Sequence, residues 1–421
     1  MDIKKNAINL LSNGFAHVFI GTFLNKAIAM ISSVVVARII DKNEYAYLTY
    51  SETLYGYLAL FLGIGMSSAL LKVCSGKEHT PADKAYLIFS AKYGVAFEVA
   101  VTTGLCLLIS FISLPFEQAR FYIFATVLYP ILYYCYDLLA CYLRAKQLNK
   151  EYAWYSLLYS AMTCIFTIGF VYYVDALGVI IARYITLVVL IICLLIPLVK
   201  KLKLIATTPI NRKNLNLFMS MSLSLMFANA LSGMMPINEN LLVSNIIADE
   251  VATSNYRVAS LFPQLIILIT QSVMIYYFPL VSEMDNNKQN PRKYVYKVAV
   301  FNFVLVIGGI IIGTALTPWL IVTFYGQKYA DAIPIALLLW LVHGVNAAFR
   351  IVPINMLIAI REYKFNLYMS IGSVILQFLL DWYFLLQFGM LGVMYGTAAV
   401  YITSSIIYWI YFSKKTLKYC I

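Results

Sequence analysis

The sequence predicts an all-α integral membrane protein with about 12 transmembrane helices in two six-helix bundles, related by pseudo-twofold symmetry about the membrane normal. Three observations predict this fold: an apolar composition, a series of long apolar runs, and a basic break near the middle of the chain. Of the 421 residues, 62% are hydrophobic and 12% are charged, and the mean hydropathy is +0.80. Soluble domains contain about twice that share of charged residues, so this chain has too few charges to coat a water-soluble globule.

Twelve apolar runs between polar breaks are long enough to cross the hydrocarbon core of a bilayer, which takes about 20 helical residues. They cover residues 13–38, 45–71, 85–112, 119–143, 153–174, 177–199, 215–246, 252–280, 297–324, 332–360, 365–387 and 390–412. The first run is of full length, carries Asn25 and Lys26, and has no small-residue cleavage site after it. We therefore expect it to stay as a helix and not to be removed as a signal peptide.

The basic residues lie mainly on one side of the predicted membrane helices. The formal net charge is +12, and with the N-terminus in the cytosol 22 of the 31 lysines and arginines fall in inner segments, 3 in outer loops and 6 within spans. This is the positive-inside pattern, which predicts that both termini are cytoplasmic. It also accounts for the net charge without a nucleic-acid partner, so we expect none.

The longest polar break in the middle of the chain is segment 200–214, which contains five basic residues and a proline. We predict that it is a basic cytoplasmic linker between an N-terminal bundle, residues 1–199, and a C-terminal bundle, residues 215–421. Residues also match at an offset of 214, where Leu177-Gly178-Val179 pairs with Leu391-Gly392-Val393. Because each half holds an even number of spans, duplicated halves would share their orientation and leave a cavity between them, as in transporters.

Motifs of enzymes and of nucleotide-binding proteins are absent from the sequence. It contains no phosphate-binding loop of the G-x-x-x-x-G-K type, its three histidines have no metal-ligand spacing, and no nucleophile lies beside a recognisable base. We therefore expect no catalytic residue, no metal and no cofactor. His343 and Asn346 resemble the His and Asn of membrane acyltransferases, but a satisfied polar contact inside the bundle is the favoured interpretation of this pair.

Ionisable and polar residues in the middle of predicted spans are the candidate functional groups, because a charge at that depth is costly unless it faces protein or water. The candidate substrate-binding cations are Lys26, Arg257 and Arg350. The candidate cavity-lining or ion-coupling residues are Glu52, Asn229, Glu239, Gln264 and Asp381. Small and polar residues also join helices in lipid, so structural contacts are the alternative for these positions. Arg183 lies near the outer end of its span, within reach of the membrane interface, and a structural role is the favoured interpretation.

Several short motifs are spread over the whole chain. In the first half, Val36-Ala37-Arg38-Ile39-Ile40 is followed by Asp41-Lys42-Asn43-Glu44-Tyr45, and Gly63-Ile64-Gly65 lies in the second span. The second half contains Asn255-Tyr256-Arg257-Val258-Ala259, Phe324-Tyr325-Gly326-Gln327-Lys328-Tyr329 and Gly389-Met390-Leu391-Gly392-Val393. On these motifs the sequence resembles the Wzx-type O-antigen and oligosaccharide flippases of the multidrug/oligosaccharidyl-lipid/polysaccharide exporter (MOP) superfamily.

The resemblance implies export of undecaprenyl-diphosphate-linked oligosaccharide repeat units, of the O-antigen or capsule type, from the cytoplasmic to the outer leaflet of the bacterial inner membrane. It implies alternating access through a central cationic cavity, in which Lys26, Arg257 and Arg350 would contact the diphosphate. The expected partners are this lipid-linked substrate, membrane lipid and other polysaccharide-assembly membrane proteins. An ion-coupled small-molecule or multidrug exporter on the same scaffold is the alternative. A membrane-embedded glycan polymerase or acyltransferase is less favoured.

Overall fold

Helices make up nearly all of the structure, a computed structural model that describes residues 16–75, 80–203 and 208–417. No strand occurs in these ranges. The α-helices are α1 (Ala16–Ile39), α2 (Lys42–Leu60), α3 (Met66–Val73), α4 (Pro81–Phe111), α5 (Ala119–Ala125), α6 (Tyr129–Ala145), α7 (Asn149–Val174), α8 (Leu177–Lys203), α9 (Arg212–Leu242), α10 (Glu250–Leu261), α11 (Ile266–Asn286), α12 (Arg292–Leu320), α13 (Ala332–Val345), α14 (Ile351–Ala359), α15 (Tyr363–Phe388) and α16 (Met390–Leu417). Short 3₁₀ or π turns follow α2, α9, α10, α12 and α13.

Each of the twelve predicted spans coincides with one helical stretch, either a single helix or two helices joined by a short turn. In the described ranges, ten stretches are long and apolar enough to cross a membrane by length and composition. The helices of the first and seventh predicted spans, α1 and α9, are not among these ten. The all-α membrane fold is therefore confirmed, whereas the exact number of crossings stays a prediction.

Capping residues at the sequence breaks fix where several helices begin. The Asp41 side chain accepts a hydrogen bond from the backbone of Asn43 before α2, and the Asp249 side chain does the same for Ala252 before α10. Thr80 and Asp83 form a reciprocal capping box at the start of α4. Such side chains satisfy N–H groups that the first turn of a helix leaves without a partner.

The chain divides into two compact units, Met1–Ala230 and Leu231–Ile421. The core of the first unit includes the buried side chains of Leu70, Tyr134 and Phe218. The core of the second includes Val352 and Phe412. The division falls within α9, so this helix begins in the first unit and ends in the second. The linker at 200–214 and the symmetry axis stay predictions.

The two halves share two unusual turns at the offset of 214 found in the sequence. In the turn before the fifth helical stretch of each half, Gln147 has a φ of 59° and Arg361 a φ of 64°. In the turn before the last stretch of each half, Asp175 has a φ of 48° and Gly389 a φ of 59°. The glycine three residues later packs, in both halves, against the backbone of the preceding helix. These local geometries support a duplication of the sequence.

The second helical stretch is broken by a left-handed turn, Gly63–Gly65. Gly63, Ile64 and Gly65 have φ values of 52°, 55° and 72°, so three successive residues lie in the left-handed region between two right-handed helices. Glycine adopts this conformation readily, whereas a β-branched residue such as Ile64 rarely does. The turn separates α2 from the eight-residue α3.

A buried ion pair joins α4 to the C-terminal end of α6 in the first unit. Lys146 Nζ lies 2.6 Å from Asp83 Oδ2, and the exposed fractions of the two side chains are 2% and 9%. Asp83 also caps α4, so one carboxylate serves both contacts.

Candidate functional site

Two buried carboxylates meet in the second unit on different helices. Glu239 lies on α9 and Asp381 on α15, and the hydroxyl of Thr397 on α16 lies close to both. The Thr397 Oγ1 atom is 3.2 Å from Glu239 Oε1 and 3.3 Å from Asp381 Oδ2. All three residues are almost fully buried. This arrangement brings two of the predicted ion-coupling residues into one site.

Two further polar side chains complete what we call the carboxylate cluster: Glu239, Tyr256, Gln377, Asp381 and Thr397. The Tyr256 hydroxyl of α10 donates to Glu239 Oε2 at 3.0 Å. The Gln377 amide of α15 donates to Glu239 Oε1 at 3.0 Å and lies within reach of the Met235 carbonyl oxygen. Side chains from three helices, α10, α15 and α16, therefore converge on Glu239 of α9.

Close packing of α15 and α16 places Asp381 in the cluster. A Cβ atom at Gly396 would collide with Asp381 Oδ1 and with the backbone of the same residue. Gly396 comes directly before Thr397, so the absence of a side chain lets the two helices approach at the level of the carboxylates.

The carboxylate cluster has the chemistry of a site for a small cation. Within the described part of the chain, no lysine or arginine forms an ion pair with Glu239 or Asp381. Gln377 Oε1 is buried and has no hydrogen-bond partner there. Carboxylate, hydroxyl and amide oxygens together suit a proton or a hard cation, and two buried carboxylates without a counter-charge are costly. No three His, Cys, Asp or Glu side chains of the described residues come together as metal ligands.

Arg350 contacts residues on two helices of the cluster, each about one helical turn from a cluster residue. It belongs to the π turn Asn346–Arg350, and its guanidinium contacts Met235 Sδ at 3.7 Å and the Tyr401 ring at 5.5 Å. Met235 and Tyr401 are four residues from Glu239 and Thr397. Arg350 Nε has no hydrogen-bond partner, and no carboxylate pairs with this arginine in the described ranges.

The structure places the other predicted cations separately. Lys26 lies on α1 in the first unit, where its side chain is exposed and forms no ion pair with the described residues. Its neighbour Asn25 donates to Ser156 Oγ of α7 at 2.7 Å. Arg257 is half-buried on α10, next to Tyr256 of the cluster.

Two predicted polar residues are not brought into the cluster. Gln264 is half-buried in the turn Pro263–Leu265, and among the described residues no hydrogen bond joins it to Glu239 or Asp381. Asn229 lies on α9, but its side chain is outside the described part of the structure. Their roles stay predictions.

Glu52 forms an ion pair that the sequence did not predict. Arg183 Nη2 of α8 lies 2.5 Å from Glu52 Oε1 of α2, and the guanidinium also lies 5.5 Å from the Tyr129 ring. Through this ion pair Arg183 joins α8 to α2 within the first unit. Its reach to the membrane interface stays a prediction.

His343 also differs from its expected role as a satisfied polar contact. The side chain is 2% exposed, and neither ring nitrogen has a hydrogen-bond partner among the described residues. Asn346 instead accepts from Arg350 Nη1 at 3.5 Å, so the two residues do not form a catalytic pair.

Sequence reasoning missed Thr397 and the role of Tyr256 in the cluster. A threonine in an apolar span usually bonds to its own helix, so Thr397 gave no distinctive signal. The glycine directly before it was the available indication, because small residues mark close helix contacts.

Known families and structures match this chain over most of its length. Residues 35–334 match the polysaccharide biosynthesis protein family, and no curated protein matches. An inward-facing multidrug resistance MATE family transporter of the MOP superfamily has a TM-score of 0.75 at 14% identity, covering 94% of this chain and 95% of that chain. An outward-facing MATE family transporter has a TM-score of 0.68 at 14% identity, covering 97% and 96%.

A MOP superfamily transporter from Pyrococcus furiosus, whose description reports reverse polarity of the binding pocket, has a TM-score of 0.67 at 13% identity, covering 98% of this chain and 96% of that chain. At these identities the likeness to solved structures shows the fold alone. The match to the family model shows the family to which the chain belongs. The chain therefore belongs to the polysaccharide biosynthesis protein family, and its helices, many of them long and apolar enough to cross a membrane, have the fold of the MOP superfamily transporters, as its sequence motifs predicted.

Proposed function

We propose that the protein is a flippase that exports undecaprenyl-diphosphate-linked oligosaccharide repeat units from the cytoplasmic to the outer leaflet by alternating access. The observation that carries this proposal is the presence of two candidate cations, Lys26 and Arg350, in a chain of the polysaccharide biosynthesis family. In the described ranges neither forms an ion pair with a carboxylate. A diphosphate that leaves water needs such positive partners.

The two cations suit the diphosphate in different ways. Arg350 has a planar guanidinium whose Nε has no hydrogen-bond partner among the described residues, and such a group suits bidentate contact with phosphate oxygens. Lys26 offers a flexible ammonium on an exposed side chain. Arg257, which follows Tyr256 on α10, is the third candidate.

Ion binding at the carboxylate cluster is the proposed energy input. The sequence has no ATP-binding motif, and Glu239 with Asp381 forms an acidic site without a counter-charge in the described structure. A cation or proton that binds there in one conformation and leaves in another would drive the cycle. The inside-negative membrane potential adds about 2.3 kcal/mol per 100 mV for each negative charge moved outward.

The proposed location is the bacterial inner membrane with both termini in the cytoplasm, as the distribution of basic residues predicts. Its proposed partners are the lipid-linked glycan, membrane lipid and other membrane proteins of polysaccharide assembly. No catalytic step is part of this proposal.

An ion-coupled exporter of small molecules is the second candidate. The carboxylate cluster and the fold shared with multidrug resistance transporters favour it. Such an exporter of cationic drugs would need acidic groups at the substrate contact, whereas Lys26 and Arg350 are basic. The two candidates therefore differ in the charge of the substrate.

Leaflet-resolved quantification of the undecaprenyl-diphosphate glycan in a deletion strain tests the proposal. The strain is complemented with wild type, Lys26→Ala, Arg350→Ala or Lys364→Ala at equal membrane abundance. Lys364 is an exposed lysine with no assigned role, so it is the matched control. We expect glycan to accumulate on the cytoplasmic leaflet with Lys26→Ala and Arg350→Ala, and to be exported with wild type and Lys364→Ala.

An unchanged leaflet distribution after deletion, in a strain without a second flippase, would overturn the lipid-linked substrate. A deletion strain that is hypersensitive to cationic drugs, with normal glycan export, would favour the small-molecule exporter instead.

A further inference from the structure

A second buried carboxylate lies in the first unit, away from the cations and the cluster described above. Glu98 on α4 is 1% exposed, and its Oε1 accepts a hydrogen bond of 2.7 Å from the backbone N–H of Gly63. Gly63 is the first residue of the left-handed turn that follows α2. The Glu98 carboxylate therefore accepts a hydrogen bond from the backbone at the point where the second helical stretch is broken.

The backbone of this turn needs support from its surroundings. Three successive residues with positive φ are unusual in L-amino-acid chains, and Ile64 is β-branched, which makes its φ of 55° an outlier. Conformations of this kind persist only where neighbouring groups hold them, and they concentrate at parts of proteins that switch.

Packing supports the turn from two sides. The ring of Tyr134 on α6 fills the space next to Gly63 and Gly94, where a Cβ atom would collide with it. On the other side Gly65 lies against the Ser222 carbonyl group and Met226 of α9. These contacts shape the turn without charge, so the Gly63–Glu98 hydrogen bond is the contact that depends on ionisation.

Few ionisable groups lie around Glu98. Tyr134 and Cys135 of α6 are close enough to interact with it electrostatically, and Asp137 follows on the same helix. The residues that α9 brings to the turn, Ser222 and Met226, do not ionise. Among the described residues no lysine, arginine or histidine forms an ion pair with Glu98. The backbone N–H of Gly63 is therefore the main group that stabilises the negative charge of Glu98.

We propose that Glu98 binds an exchangeable proton and acts as a latch on the left-handed turn Gly63–Gly65. The ionised carboxylate holds the Gly63 N–H, because a hydrogen bond to a charged acceptor is stronger than one to a neutral acceptor. A proton taken from water neutralises the carboxylate, weakens this hydrogen bond and frees α3 to reorient relative to α2. This goes beyond the proposed function, since it concerns neither the substrate nor the carboxylate cluster.

Hydrogen–deuterium exchange of the full-length protein in lipid nanodiscs tests the latch. The readout is the protection of a peptide spanning Gly63–Gly65, corrected for the intrinsic pH dependence of amide exchange. In wild type we expect protection to fall on acidification. In Glu98→Gln we expect it to be about five- to tenfold lower at neutral pH and no longer to respond to pH. Glu117→Gln, the same change at an exposed carboxylate, should leave both properties unchanged.

Ile64→Gly is a second variant. It leaves the Glu98 carboxylate intact and replaces a β-branched residue at positive φ by glycine, which adopts this conformation readily. It should keep the wild-type response to pH. Equal protection and equal pH response in wild type and Glu98→Gln would overturn the latch. If Glu98→Gln does not fold, a wild-type turn whose protection is independent of pH would overturn it equally. Neither result depends on which substrate the protein transports, so the latch and the proposed function fail separately.

Discussion

The Gln377 side chain donates a hydrogen bond of 3.0 Å to Glu239, a residue 138 positions earlier in the chain. This contact joins α15 to α9 within the second unit and leaves Gln377 Oε1 without a partner in the described structure. The free amide oxygen lies on the same side chain that orients Glu239. The cluster thus combines a carboxylate that is oriented by a hydrogen bond with an amide oxygen that has no hydrogen-bond partner among the described residues.

If the carboxylate cluster binds the proposed coupling cation, Asp381→Asn should abolish stabilisation of the protein by that cation. A ligand that binds only the folded state raises stability by about 2.7 kcal/mol at a hundred times its Kd, so removal of one carboxylate ligand should remove this gain. The measurement is the thermal unfolding midpoint of the purified protein over a range of sodium concentrations and of pH. Glu283→Gln, at an exposed carboxylate on α11, is the control. The same ion-dependent stabilisation in Asp381→Asn and wild type would exclude Asp381 as a ligand.

Gly396→Ala should separate α15 from α16 and destabilise the protein by several kcal/mol. The added Cβ would meet the Asp381 carboxylate and backbone, which cannot move without displacing the helix. Gly372→Ala on α15 is the matched control, because nothing lies within 4 Å of its Cβ position. That change should be neutral or stabilise by up to about 1 kcal/mol. Unfolding midpoints of the two variants check this, and similar midpoints would contradict the proposed close contact.

Gly63→Ala should prevent the ring of Tyr134 from packing against the left-handed turn. The methyl group would overlap the ring, and alanine is also disfavoured at a φ of 52°. Gly104→Ala on α4 has open space at the same substitution and should be tolerated. The yield of monodisperse protein in detergent distinguishes them: we expect a severe loss for the first and wild-type yield for the second.

Lys146→Met should destabilise the first unit by about 3–5 kcal/mol, because it leaves the Asp83 carboxylate buried without a cation. The double variant Lys146→Met with Asp83→Asn should recover part of that loss, since no unpaired charge is left. A double-mutant cycle of unfolding free energies measures the coupling. Strictly additive effects would show that the pair contributes nothing to stability.

Hydrophobic patterning predicts the helices of this protein well because the bilayer sets their length. The predicted run 177–199 lies within α8, and the predicted start of the last span at residue 390 is also the start of α16. Polar breaks and caps such as Thr80 mark the ends in the sequence itself. These features depend on neighbouring residues, so one sequence is sufficient to find them.

The partners of the polar residues were harder to predict because they lie far apart in the chain. Glu239 and Asp381 were recognised as buried acids, but only the packing of Gly396 against α15 brings Thr397 to them. The glycines at 63 and 65 were visible as a motif, yet the left-handed turn depends on the Tyr134 ring about 70 positions later. Local patterns cannot report such contacts.

The Glu52–Arg183 ion pair has a consequence for how the chain is made. The two residues are 131 positions apart, so Glu52 enters the membrane on α2 long before Arg183 has been synthesised on α8. During that interval the carboxylate has no arginine to meet, and a charged group at this depth is costly in lipid. The second helical stretch is therefore synthesised before this ion pair can form. The contact between α2 and α8 is therefore a late step in the assembly of the first unit.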